Sequence, residues 1–213
     1  MYKHLYDNFK HWYHEDRGSI FLYSDPHFAD EEANYLRKDY IGDEEQVKRI
    51  NSKLGKYDTI IFLGDIGNVE FIKKIRGYKV LIMGNHDSGT SNYIRKQWLE
   101  DDEEPGNGWR LIKKDNHLFD EVYEGPVIIS EKIILSHEPI NLPFMYNIHG
   151  HCHGLPAVYD KLHFNICAEN IDYTPIRLDH LIKYGVLKNI DSIHRITIDT
   201  ATERKRQRKK NNY

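Results

Sequence analysis

Val80-Leu81-Ile82-Met83-Gly84-Asn85-His86-Asp87 is four apolar residues followed by a glycine and three polar ones. The apolar run is too short for a helix and is stopped by Gly84, so it reads as a buried strand with a polar cluster at its carboxyl end. That is where open α/β sheets keep their ligands. At ordinary residue frequencies a chain of this length carries Gly-Asn-His-Asp by chance roughly once in a thousand. The cluster is therefore read as chemistry.

Upstream, Thr59–Leu63 is a second apolar run, ended by Gly64-Asp65, and Val69, Ile72 and Ile75 have helical spacing up to Gly77. Strand, helix and strand in succession is the rhythm of a parallel sheet. Ser19–Ser24 reads as a further strand, ended by Asp25-Pro26-His27 because proline cannot continue a central strand. Residues 28–42 read as a loop with a short helical turn. Asp43 then opens a helix carrying Val47, Ile50 and Leu54 inward and closed by Gly55. Downstream, Ser88–Leu99 reads as a helix and the acidic run Glu100–Glu104, with Pro105, Gly106 and Gly108, as a solvated loop. Phe119–Tyr123, Val127–Ser130 and Lys132–Ser136 are short β-rich runs that predict antiparallel hairpins and a second sheet. Met145–Ile148 and Leu162–Cys167 are further strands, Leu178–Tyr184 a short helix, and Ile193–Ile198 a last alternating strand.

At 213 residues the chain suits one domain, taken as residues 1–200. The formal charge of −3 excludes a globally basic nucleic-acid binder, yet Arg204–Lys210 holds six basic side chains in seven positions. Residues 201–213 have no apolar anchor beyond Ala201 and Tyr213 and are expected to be a disordered basic tail. No apolar run approaches the length of a membrane span, and the amino terminus is polar and aromatic, not a signal. Cys152 and Cys167 are the only cysteines, too few for a disulfide framework. The expectation is a cytoplasmic protein without membrane partners.

Five polar clusters each follow an apolar run: Asp25-Pro26-His27, Gly64-Asp65, Gly84-Asn85-His86-Asp87, Ser136-His137 and Gly150-His151-Cys152-His153. A single Asp-x-His in a turn is more often structural than ligating, and Gly-Asp alone counts for almost nothing. His-x-His is better, since alternate residues of an extended segment point the same way. Together the clusters supply two carboxylates, one amide oxygen and four imidazoles, enough for two metal ions sharing a bridge. Mixed oxygen and nitrogen donors suit manganese, iron or zinc better than magnesium or calcium.

This ordered set resembles the calcineurin-like metallophosphoesterase superfamily, whose pattern is Asp-x-His, Gly-Asp, Gly-Asn-His-(Asp or Glu), His and Gly-His-x-His. The matching motifs span residues 25–153, and Phe164-Asn165-Ile166 with Tyr173-x-Pro175 looks like the tail of small bacterial and phage members. The resemblance implies a four-layer α/β/β/α sandwich of two mixed sheets flanked by helices. It implies two divalent transition metals, manganese first, with iron or zinc as alternatives. Asp25, His27, Asp65 and His153 would hold one ion; Asp65 would bridge to the second, completed by Asn85, His137 and His151. A hydroxide bridging the ions would attack phosphorus, and His86 would be the general acid. His149 matches no ligand position and is expected to be structural, and Asp87 to support its loop.

Two departures bear on substrate. Phosphoprotein phosphatases continue Gly-Asp with x-x-Asp-Arg, where this chain has Asn68 and Val69. The missing arginine would read a monoester dianion, so its absence favours a phosphodiester, nucleotide or nucleic-acid-derived. His86 also argues against the lipid A branch, which carries Gly-Asn-Arg-Asp. A phosphomonoesterase or protein phosphatase, and a non-catalytic metal-binding scaffold, are the alternatives.

Overall fold

Ile20–Tyr23 (β1), Thr59–Phe62 (β2) and Tyr78–Ile82 (β3) lie parallel and in register in the computed structural model, which describes residues 4–37, 39–87, 109–110, 118–188, 190 and 193–211. Glu121–Tyr123 (β5) continues the sheet parallel to β3, with Trp109–Arg110 (β4) antiparallel beyond it, and Ile176–Arg177 (β10) closes the other edge antiparallel to β1. The second sheet has the order Val127–Ser130 (β6), Ile133–Leu135 (β7), Tyr146–His149 (β8) and His163–Asn165 (β9). Both sheets are mixed, and helices flank them: Glu31–Leu36 (α1), Asp43–Lys53 (α2), Leu178–Lys183 (α3) and Ile193–Asn211 (α4).

The first sheet is apolar along whole strands because both its faces are covered. Ile20, Leu22, Ile61, Leu63, Val80 and Ile82 join a core shared with Ile133, Leu135, Tyr146 and Ile148 of the second sheet. The alternate residues Phe21, Tyr23, Ile60, Phe62 and Leu81 join a second core with Val47, Ile50 and Leu54 of α2. The 3₁₀ helix Asp7–Tyr13 adds a fully buried Trp12, whose indole N–H donates to the buried Glu121 carboxylate at 3.0 Å.

Several expectations are corrected. Of the three runs expected to form antiparallel hairpins, only the second and third, β6 and β7, pair that way with each other; the first joins the first sheet parallel to β3, and β7, β8 and β9 are parallel. Apolar alternation marks a strand but does not name its partner. Val69–Lys74 is a 3₁₀ helix capped by Asn68, whose side chain accepts from Glu70 N at 3.0 Å. The strand expected over 193–198 and the disorder expected from 201 are replaced by the single helix α4. Ala201, Glu203 and the Arg/Lys run are strong helix formers, and that propensity overrides the short alternation. Residues 88–108, with the helix and acidic loop read there, lie outside the described residues. Among the described residues no helix is long and apolar enough to cross a membrane.

Candidate metal centre

The loops after β1, β2 and β3 and those after β7 and β8 emerge at the carboxyl ends of parallel strands, which brings the five polar clusters to one edge of the sandwich. The loops are tied to one another. Asp25 N donates to Gly64 O and His27 N to Asp65 O, both at 3.1 Å, so the turn after β1 runs alongside the turn after β2. Asp87 accepts from Gly84 N, Asp65 N and Ile66 N at 2.8, 2.9 and 3.0 Å and clamps the second turn to the third. Burial pushes its carboxyl above the usual range despite those three bonds. Across the sheets, His137 Nδ1 donates to Leu63 O at 2.7 Å and His151 N to Asp25 Oδ2 at 3.0 Å.

All seven residues that the sequence singles out as ligands converge. Asp65 Oδ2 lies 3.4 Å from His137 Nε2 and 3.6 Å from His27 Nε2. Its other oxygen is occupied, accepting from His86 N at 3.0 Å. Asp25 Oδ1 lies 3.5 Å from His153 Nε2 and 4.0 Å from His27 Nε2. Asn85 Oδ1 is 2.9 Å from His137 Nε2 and 3.2 Å from His151 Nδ1. Two donor groups result, Asp25–His27–Asp65 and Asp65–His137–His151, overlapping at Asp65. Donor atoms around one ion at roughly 2.1 Å keep comparable separations.

The donors fit a cation. His27 Nε2 is buried with no hydrogen-bond partner, an expense that a bound ion removes. Burial, with the nearby Arg37 guanidinium, pushes the His27 imidazole down, which leaves that nitrogen a free lone pair. Its other nitrogen is 3.2 Å from Asp30 Oδ2, while Asp30 Oδ1 caps α1 by accepting from Ala33 N. His153 Nδ1 donates to Glu169 Oε1 at 2.6 Å and so presents Nε2 to Asp25. A carbonyl or carboxylate on the far ring nitrogen is how a metal-ligating histidine is oriented.

The backbone is bent sharply at these positions. Asp25, His27, Asp65 and His151 have φ of 54°, 44°, 53° and 64°, a left-handed region that costs a non-glycine residue about 1 kcal/mol or more. Gly84 and Gly150 are required by proximity: a Cβ would meet Asp65 Oδ1 at 2.2 Å and Asp25 Oδ2 at 2.1 Å respectively.

His86 is exposed, with Nε2 4.0 Å from Asp65 Oδ2, and faces a cavity of about 550 Å³ lined also by His27, Leu36, Arg37 and His153. A second cavity of about 450 Å³ meets Asn85 and His137 from the side of Glu124 and Glu138. His149 is buried behind the edge, donating to Gly150 O and accepting from Tyr159 Oη, each at 2.8 Å. Val69, at the position of the missing arginine, packs on the core under α2. Asp30, Arg37, Glu169 and Cys167 were not legible as site residues; the Asp30-Glu31-Glu32 start of a helix is a cap signal for the first, and the others carry none. The Cys167 thiol, 3.6 Å from Asp25 Oδ2, forms a third donor group with Asp25 and His153.

No family model matches this chain, and no curated protein matches it. Among solved structures it is similar to AQ665 of Aquifex aeolicus, a protein of unknown function, with a TM-score of 0.55 and 23% identity over 79% of this chain and 100% of that one. A nuclease of Pseudomonas putida, MPE, aligns with a TM-score of 0.40 and 21% identity over 63% of this chain and 60% of that one. The first shares the fold; the second aligns too loosely for its activity to bear on this chain.

Proposed function

We propose that this chain is a dinuclear-metal phosphodiesterase of the calcineurin-like metallophosphoesterase type. The observation that carries the reading is the sharing of Asp65 Oδ2 between two donor groups, with a buried unpartnered nitrogen, His27 Nε2, beside it. Asp25, His27, Asp65 and His153 would hold one divalent ion, and Asp65, Asn85, His137 and His151 the other, manganese being the first choice and iron or zinc the alternatives. Such a pair supplies Lewis-acid polarisation of the phosphoryl group and a water of lowered pKa. The chain's own part is to hold the phosphate between the two cavities and to protonate the departing oxygen. His86 is the proton donor in this reading, exposed at the mouth of the larger cavity and reachable by a leaving group.

Diester preference has two supports. Val69 leaves no arginine at the position where a monoester dianion would be clamped, and both terminal guanidinium nitrogens of Arg37, Nη1 and Nη2, are spent on backbone carbonyls. Cavities on both sides of the centre give each arm of a diester a place. A polynucleotide or nucleotide substrate is favoured by the basic run on α4, whose side chains from Thr197 to Arg208 are exposed.

The test pairs bis(p-nitrophenyl) phosphate with p-nitrophenyl phosphate on the manganese-loaded chain. A higher kcat/KM is expected for the diester; the reverse order makes it a phosphomonoesterase. His86→Ala should keep two equivalents of metal by elemental analysis while turnover falls roughly 10²–10⁴-fold. A chain that takes up no metal has no place in this class.

A further inference from the structure

The two sides of the centre are oriented by different kinds of group. On the His137 side the partners are backbone: Leu63 O fixes His137, and His86 N fixes Asp65. On the His153 side Asp25 also accepts from His151 N at 3.0 Å, but the imidazole itself is held by charged side chains. Glu169 holds His153 at 2.6 Å, and Arg37 Nη2 lies 3.7 Å from the other Glu169 oxygen. Arg37 also donates from Nη2 to Asp25 O and from Nη1 to Pro26 O, the latter at 3.2 Å. One chain of contacts therefore runs from the Asp25–His27 turn through Arg37 and Glu169 to the His153 imidazole.

This pair is costly where it stands. The Arg37 side chain is 3% exposed, and both Arg37 Nε and Glu169 Oε2 are buried without a hydrogen-bond partner. A buried, incompletely bonded ion pair is poor value for fold stability, because desolvation offsets the attraction. What it holds, however, is a turn left-handed at both Asp25 and His27, together with the tautomer and aim of His153.

We propose that Arg37 and Glu169 are positioning residues that set the affinity of one metal position, the one bounded by Asp25, His27 and His153, while the other position depends on backbone groups. This rests on the metal-centre reading above. Partners of this kind typically change metal affinity 10–100-fold. Lysine at position 37 would keep the charge but present a single ammonium in place of a planar fork, so it cannot hold two carbonyls and a carboxylate together. Glutamine at 169 would keep the shape and lose the charge that makes His153 a better donor.

The experiment is a Mn²⁺ titration of the chelator-stripped full chain, followed by calorimetry and electron paramagnetic resonance. The unaltered chain should take up two equivalents and give the spectrum of a coupled pair. Glu169→Gln and Arg37→Lys should each leave one equivalent at its original affinity and weaken the other 10–100-fold, with the six-line spectrum of isolated Mn²⁺. His137→Asn should spare the position that Glu169→Gln weakens. Two equivalents at unchanged affinity in both variants would overturn the inference. So would equal weakening of both positions with a lowered melting temperature, which marks a role in the fold alone. No Mn²⁺ uptake by the unaltered chain would instead overturn the metal-centre reading, and the inference with it.

Discussion

His137 sits against Asp65 with Asp25 nearby, and in the proposed centre its protonation would decide when an ion can enter. Burial alone would push the imidazole down, but the bond to Asp65, the charges of Asp25 and Asp65 and the Leu63 carbonyl hold it up at about 9 in the metal-free chain. Below that pH the ring carries a proton that a metal must displace, since a ligating imidazole is neutral. Mn²⁺ affinity is therefore expected to rise through neutrality, by about tenfold per pH unit for one proton released, and to level off above about pH 9. Calorimetry in two buffers of different ionisation enthalpy counts the proton directly. Gly150 is the other sensitive position. An added methyl would lie 2.0 Å from Ser24 Oγ and 2.1 Å from Asp25 Oδ2, so Gly150→Ala should cost roughly 1–3 kcal/mol in urea unfolding of the metal-free chain and weaken metal uptake as well.

The basic helix α4 makes a separate prediction. Arg204, Lys205, Arg206 and Arg208 are exposed, and since the chain as a whole carries −3, everything outside the 204–210 run is distinctly acidic. A polyanionic substrate would be repelled by that body and drawn by the helix. Truncation after Thr200 should weaken single-stranded oligonucleotide binding and flatten a log–log salt slope on the order of −3 to −4, leaving turnover of a small diester unchanged. Equal binding by both forms removes the helix from substrate capture. That it is a helix at all was not legible, because Ile193–Ile198 fits a strand as well as one face of a helix. The parallel strands β1, β2 and β3 were legible, since burial on both faces writes them as unbroken apolar runs, and so were the polar clusters that end them; the two-residue edge strands β4 and β10 were not. The partners of β7, β8 and β9 were not: a parallel pairing is decided by crossovers, not by the strand's own residues. Asp87 was legible as a support from its motif. Arg37 and Glu169 were not, because their meaning comes from contacts with Asp25 and His153 that no local pattern encodes.

Each of the two proposed metal positions would draw donors from both sheets. Asp25, His27, Asp65 and Asn85 come from the loops of the first, and His137, His151 and His153 from those of the second; His151 meets Asp25 across a sequence separation of 126. An ion thus finds its full set of donors only after the sheets have docked. It can act as a lock but not as a nucleus. Binding that forms after the rate-limiting barrier slows unfolding and leaves folding untouched. At a free concentration about 100 times the dissociation constant, each filled position adds about 2.7 kcal/mol. Stopped-flow jumps should accordingly give the same refolding rate constant with and without Mn²⁺, and an unfolding rate constant lower by about a hundredfold for each position filled. The chain would fold at its own pace and owe to the metal only how long it stays folded.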